Sequence, residues 1–182
     1  MRGGERTEDT TVTSWPPLPR EIEADACAAA LRARLESGAR PLWRASTTVV
    51  PVVPADGLVI AVLERAAREG TLVLGLEAAG GALDREELGL AALASRGGGG
   101  RAHRISRVLL LANDGAERFY RAADSMTRRH AARLLTCRLD LPADALGRTV
   151  LGRPVGVKAV LVQRKGVVVA LLRALAGLTP QP

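Results

Sequence analysis

Four short apolar runs, at residues 71–74, 108–112, 134–139 and 155–162, are separated by segments whose apolar residues recur at helical spacing. A chain that alternates in this way closes most simply into one sheet with helices packed on both of its faces. The expectation is an α/β fold, a three-layer α-β-α sandwich with a mixed sheet. At 182 residues the chain holds one core of ordinary size, or one domain with a poorly folded extension. Hydrophobic residues make up 47% of it but aromatic residues only 2%, so the core must be built from Leu, Val and Ala.

The pattern along the chain divides it near residue 55. Residues 1–19 are polar and end in Trp15-Pro16-Pro17-Leu18-Pro19, where successive prolines favour an extended, flexible lead-in. A helix is predicted over 21–36 with Ile22, Ala26, Ala29, Ala30 and Ala33 on one side, followed by an extended connector over 41–54. In that connector Thr47 to Val53 can form an edge strand, limited by Pro51 and Pro54. From residue 56 to about 178 the signals are sharper. Asp56 can cap a helix over 57–69 whose Val59, Val62, Leu63 and Ala66 share a face, and Gly70 stands where a left-handed cap belongs.

Strand 72–74 leads to a helix over 76–83 weakened by Gly80 and Gly81, a helical stretch over 84–95, and a hinge of four glycines at 97–100. Strand 108–112 precedes Asp114 and Glu117, whose spacing marks a helix start, with Phe119, Ala122, Ala123 and Met126 as its apolar face. Strand 134–139, a short helix from Pro142 to Leu151, strand 155–162 and a closing helix over 166–175 complete the domain.

Composition excludes several function classes. Cys27 and Cys137 are isolated, with no CxxC and no neighbouring His, so neither a zinc site nor a disulfide framework is expected. His103 and His130 lack an adjacent acid and nucleophile in sequence, and the acids Asp84, Glu86 and Glu87 read as a solvated patch, so no catalytic residues are assigned. The cations Arg128, Arg129 and His130 suit the C-terminal dipole of their helix. No apolar stretch approaches the roughly 20 residues of a spanning helix, and the N-terminus lacks the apolar block of a signal peptide. A cytoplasmic protein without a membrane partner or cofactor is the expectation.

A net charge of +7, carried by 24 Arg and only 2 Lys, favours a polyanion, although an Arg-rich codon bias produces the same excess. So few aromatic rings argue against a platform that stacks several bases. Two glycine-containing junctions are the candidate contacts. Gly75-Leu76-Glu77 joins a strand to a helix, where free amides and the helix dipole can hold a phosphate; it lacks the spacing of a dinucleotide fingerprint or P-loop. Leu146-Gly147-Arg148 and Gly152-Arg153-Pro154-Val155 bracket the entry to the last strand. There Arg148 and Arg153 can meet phosphate while Pro154 and Val155 press on a base; alternatively, Gly147 and Gly152 only permit packing and a cap.

The order of these signals from Leu58 to Leu175 resembles the bacterial YlxQ-type members of the ribosomal protein L-seven-Ae family, small α/β proteins that bind RNA. The likeness rests on Gly70-Thr71 with Val73 and Gly75, on Leu110 through Asp114, and on Leu146-Gly147 with Gly152-Arg153. An apparent insertion over about 84–103 interrupts it. The resemblance implies non-enzymatic binding of structured RNA, in the ribosome or its assembly, through Gly75, Leu76, Glu77, Arg148, Gly152, Arg153, Pro154 and Val155. A ribosomal or assembly protein is a further implied partner. Where the family carries an acid and a Lys in the first helical turn, this chain has Ala78 and Gly81, which removes contacts that give kink-turn specificity. Residues 1–55 are read as an N-terminal extension with one helix, for which the resemblance offers the remnant of a YlxR-type module. The alternative is a protein-interaction scaffold that has lost its RNA contacts. An enzyme relation through SpoU-type RNA methyltransferases lacks a catalytic domain in this sequence.

Overall fold

The computed structural model describes residues 15–97 and 103–178. The lead-in up to residue 14 and three of the four hinge glycines, at 98–100, lie outside the described residues. The described elements are α1 (Arg20–Glu23), α2 (Ala28–Ser37), β1 (Ala39–Pro41), β2 (Val49–Val53), α3 (Gly57–Arg68), β3 (Leu72–Leu74) and α4 (Leu76–Ser95). They continue with β4 (Arg107–Leu111), α5 (Glu117–Arg129), β5 (Leu134–Leu139), α6 (Ala143–Leu151), β6 (Ala159–Val162) and α7 (Lys165–Leu175).

The strands form one mixed sheet in the order β1-β2-β5-β4-β6-β3. β2, β5 and β4 are parallel neighbours, β6 runs antiparallel between β4 and β3, and β1 is antiparallel to β2. Because successive strand residues face opposite sides, each strand feeds two cores. Val108, Leu110, Val160 and Val162 pack with Leu31, Leu63, Leu146 and Leu171, residues of α2, α3, α6 and α7. Leu109, Leu111 and Leu161 pack with Ala79, Leu83 and Ala123 of α4 and α5. Helices on both faces make the expected three-layer α-β-α sandwich.

Several local expectations are corrected. The predicted helix over 21–36 is two helices, because the Asp25 carboxylate accepts the Cys27 amide at 3.1 Å and the chain turns at 24–27. The buried side is Ile22, Cys27, Ala28, Leu31 and Leu35, whereas Ala26, Ala29, Ala30 and Ala33 are exposed. Leucine burial removes far more apolar area than alanine burial and decides the rotation. The strand after it is internal rather than an edge: β1 covers it on one side and β5 on the other. Bonds from Val52 N to Gly38 O and from Leu42 N to Thr48 O set one parity of β2 toward β1. The missing donor of Pro51 therefore faces β5, and the β2–β5 ladder is confined to Val52 and Val53.

The segment from Trp15 to Pro19 is docked. Ile105 N donates to Pro17 O at 2.8 Å, the Arg104 guanidinium donates to Leu18 O at 2.9 Å, and Leu18 is buried. α4 runs unbroken through Gly80-Gly81 to Ser95, with Ala79 and Leu83 anchored in the core and Gly80 facing the Met126 methyl of α5. On α5 the buried positions are Tyr120, Ala123, Asp124 and Thr127; Phe119 and Met126 are partly covered and Ala122 is exposed.

The acids at 84–87 are not a solvated patch. Glu86 bridges Arg107 and Arg133, each at 2.7 Å, tying α4 to the starts of β4 and β5. Asp84 lies 3.6 Å from Arg129 and 3.2 Å from His130, whose other ring nitrogen is 3.1 Å from Glu87. His130 thus has acid partners supplied by a helix more than 40 residues earlier, a pairing that sequence adjacency does not reveal.

Candidate nucleic-acid interface

The C-terminal ends of β3, β4 and β5 and the start of β6 share one end of the sheet, as the register of β4 and β6 requires: Leu111 stands opposite Ala159. Gly75 caps α4 there with φ +90 and ψ 147, a conformation open to glycine but strained for other residues. Its amide donates to Ala159 O at 2.8 Å, fixing the cap to the first residue of β6. The first helical bond of α4 runs from Ala79 N to Gly75 O, so the amides of Leu76, Glu77 and Ala78 precede it. No side chain caps this helix. Three amides at the positive end of a 20-residue helix are donors for an anion or a base acceptor. Glu77, exposed on the first turn, adds an acceptor.

The second junction is held from below. Asp114 does not cap α5, whose cap residue Ala116 makes no side-chain bond; its carboxylate accepts the Ala143 amide at 3.0 Å, at the start of α6. Glu117 opens α5 as the helix-start signature expects, but Asp114 serves as a cap for a different helix. Asn113 adds bonds to Leu141 O and to the Asp140 carboxylate, each at 3.0 Å, and Tyr120 hydroxyl donates to Ala112 O at 2.7 Å. α6 ends at Gly152, which takes φ +68 as its left-handed cap.

From there residues 153–158 form a loop, where the sequence predicts a strand from Val155. The Val155 amide turns back on Arg153 O at 2.8 Å and the Val157 amide on Val155 O at 2.7 Å, so these donors are used locally and the ladder starts only at Ala159. The loop lies against α6 at Gly147, where a Cβ would stand 2.8 Å from the Val155 carbonyl carbon and closer still to its oxygen. The packing and capping roles of Gly147 and Gly152 are thus both present. They leave Arg148, Gly152, Arg153, Pro154 and Val155 exposed.

The loop carrying Arg153, Pro154 and Val155 enters the sheet at Ala159, the residue bonded to Gly75, after running back along α6 with Val155 at Gly147 and Val157 bonded to Ala143, so Lys158 adjoins Gly75 while Arg148 and Arg153 lie farther along α6. Lys158, which sequence reading passed over, belongs to the same surface. It is exposed, and its carbonyl accepts the Ala112 amide at 2.9 Å. Its signal was an ionisable residue inside an otherwise valine-rich run. Among the described residues Arg148, Arg153 and Lys158 form no ion pair, whereas Arg107, Arg129 and Arg133 at the other end of the sheet are paired with acids. Leu151 and Val155, 41% and 42% exposed, give the loop an apolar component. Among the described residues no cluster of three His, Cys, Asp or Glu is placed to hold a metal ion, and no helix is long and apolar enough to cross a membrane.

No family model matches the chain, and no curated protein matches it. Among solved structures it is similar to one described as a protein with unknown function from Bacillus halodurans C, at 16% identity and a TM-score of 0.48. That likeness covers 67% of this chain and 99% of the other.

Proposed function

We propose that this protein binds structured RNA through Gly75, Leu76 and Glu77 at one end of the sheet, Arg148 on α6 and the loop from Gly152 to Lys158, and performs no chemistry on it. The observation that supports the reading is the bond from Gly75 N to Ala159 O, which ties the uncapped start of α4 to the residue after the exposed Lys158. Arg148, Arg153 and Lys158 meet backbone phosphates; Leu151, Pro154 and Val155 offer an apolar surface to an unstacked base. With Ala78 and Gly81 contributing no polar side chain, recognition at α4 falls to backbone amides and the Glu77 carboxylate. The kink-turn pattern is therefore not what this surface selects. Ribosomal RNA or an assembly intermediate, in the cytoplasm, is the setting that the YlxQ-type resemblance supplies.

Three phosphate contacts correspond to a slope of roughly −2 to −3 in log affinity against log salt, or about a 16- to 64-fold loss between 50 and 200 mM. Filter binding with folded ribosomal RNA fragments across that range tests the proposal. Absence of binding at the lowest salt, or affinity independent of salt, contradicts it.

A further inference from the structure

At the opposite end of the sheet, the last turns of α3 and the first turns of α7 leave a groove of about 610 Å3 between them. Its floor is aliphatic, formed by Ala61, Val62, Ala66, Val167 and Ala170, and its rim carries Arg65, Arg68, Arg164 and Glu69. Glu69 is 3.0 Å from Arg65 and 4.0 Å from Arg164, and among the described residues Arg68 has no acid partner. Three cations against one anion leave the rim positive. The first helical bond of α7 runs from Val168 N to Arg164 O. The amides of Lys165, Gly166 and Val167 therefore precede it, and Gly166 has open space where a side chain would stand. Charged rim, free amides and apolar floor together ask for a ligand that is both anionic and aliphatic.

We propose that this groove binds a small amphiphilic anion, an aliphatic body carrying one carboxylate or phosphate monoester, with its head at Arg68, Arg164 and the start of α7. The volume falls within the range of small-ligand sites. Ten lining residues on two helices are too few for a stable protein interface. The lining contains no aromatic ring on which a base could stack, and its floor carries no polar side chain to meet a sugar. The body is therefore hydrocarbon. This site lies at the other end of the sheet from the proposed RNA surface and does not depend on it.

The test is a titration of the full chain, followed by amide NMR shifts, with sodium decanoate and decyl phosphate below their micelle concentrations. Decanol and inorganic phosphate serve as the body-only and head-only controls. Saturable binding of at least one amphiphile, with shifts concentrated on α3 and α7, is expected; comparing the two identifies the preferred head. Each control should bind at least about tenfold more weakly, since neither makes both the apolar and the charge-assisted contacts. The double variant Arg68→Ala with Arg164→Ala should also lose at least about tenfold, and Ala61→Trp, which fills the groove from an exposed position, should abolish the shifts. Circular dichroism checks that both variants remain folded. No saturable binding to the parent chain, shifts centred elsewhere, or folded variants that bind as tightly as the parent would overturn the proposal.

Discussion

Gly147→Ala perturbs one contact and leaves every charge in place. An added Cβ meets the Val155 backbone carbonyl well inside van der Waals distance, and because the obstacle is backbone, no rotamer change relieves it. The carbonyl has to retreat by more than an ångström or α6 has to move. The loop is also tied to α6 by Val157 N donating to Ala143 O at 3.1 Å and fixed by its entry into β6, so a retreat from Gly147 stretches these bonds. Overpacking of this kind costs about 1–3 kcal/mol, which for a chain of this size lowers Tm by roughly 2–12 °C.

Gly152→Ala is the matched comparison. Its Cβ meets open space, but φ +68 imposes the left-handed penalty of about 1–2 kcal/mol. Urea denaturation gives both stabilities, and RNA affinity is measured on the same samples. The expected result is that Gly147→Ala reduces RNA affinity more than Gly152→Ala at equal loss of stability, because it moves the loop itself. A Gly147→Ala protein within about 0.5 kcal/mol of the parent would refute the packing argument.

Asp124, 3% exposed, accepts hydrogen bonds from Trp43 Nε1, Ser46 and Thr48 and lies 3.3 Å from Arg128. Burial pushes its carboxyl up, but these donors and the Arg128 charge outweigh it and hold the group below its ordinary range. A depressed folded value contributes stability above the unfolded carboxylate range and loses it as pH falls through the folded value. Asp124→Asn should therefore cost about 1–3 kcal/mol at neutral pH and flatten the acid limb of urea midpoints measured from pH 7 to 3; an unchanged limb contradicts this. Asp114→Ala removes the acceptor of Ala143 N and should cost about 0.5–2 kcal/mol, read by the same denaturation and refuted by an unchanged midpoint. Burial pushes both thiols up, with Asp25 adding to the effect at Cys27, so an aromatic disulfide reagent should label neither until the chain unfolds. Rapid native labelling of Cys137 would contradict its place in the core.

The layered architecture was legible because each apolar run and each amphipathic helix is a local signal. The helix after Asp56 formed as its sequence specified: Asp56 accepts the Leu58 and Val59 amides, and Val59, Val62, Leu63 and Ala66 are buried. What was not legible depends on partners distant in sequence. Leu18 is buried although the prolines around it read as a loose lead-in, because its docking site is supplied by residues 104 and 105. Asp114 reads as a cap for the nearest helix but accepts the amide of Ala143, 29 residues away, at the start of α6. The two candidate motifs are visible in the sequence separately, whereas the link between them, Gly75 N to Ala159 O, follows from β6 pairing with β3. Lys158 joins them because the strand begins at Ala159, four residues after the expected start at Val155.

The most direct measurement is a charge-reversal pair on folded RNA fragments at fixed low salt. One variant carries Arg148→Glu, Arg153→Glu and Lys158→Glu; the other carries the same number of reversals at Arg65, Arg68 and Arg164, at the far end of the sheet. The proposed interface predicts that the first loses at least about tenfold in affinity while the second, equal to it in net charge, keeps most of its binding. Equal losses in both would show that the chain attracts RNA through overall charge alone, and the two-loop surface would have to be given up.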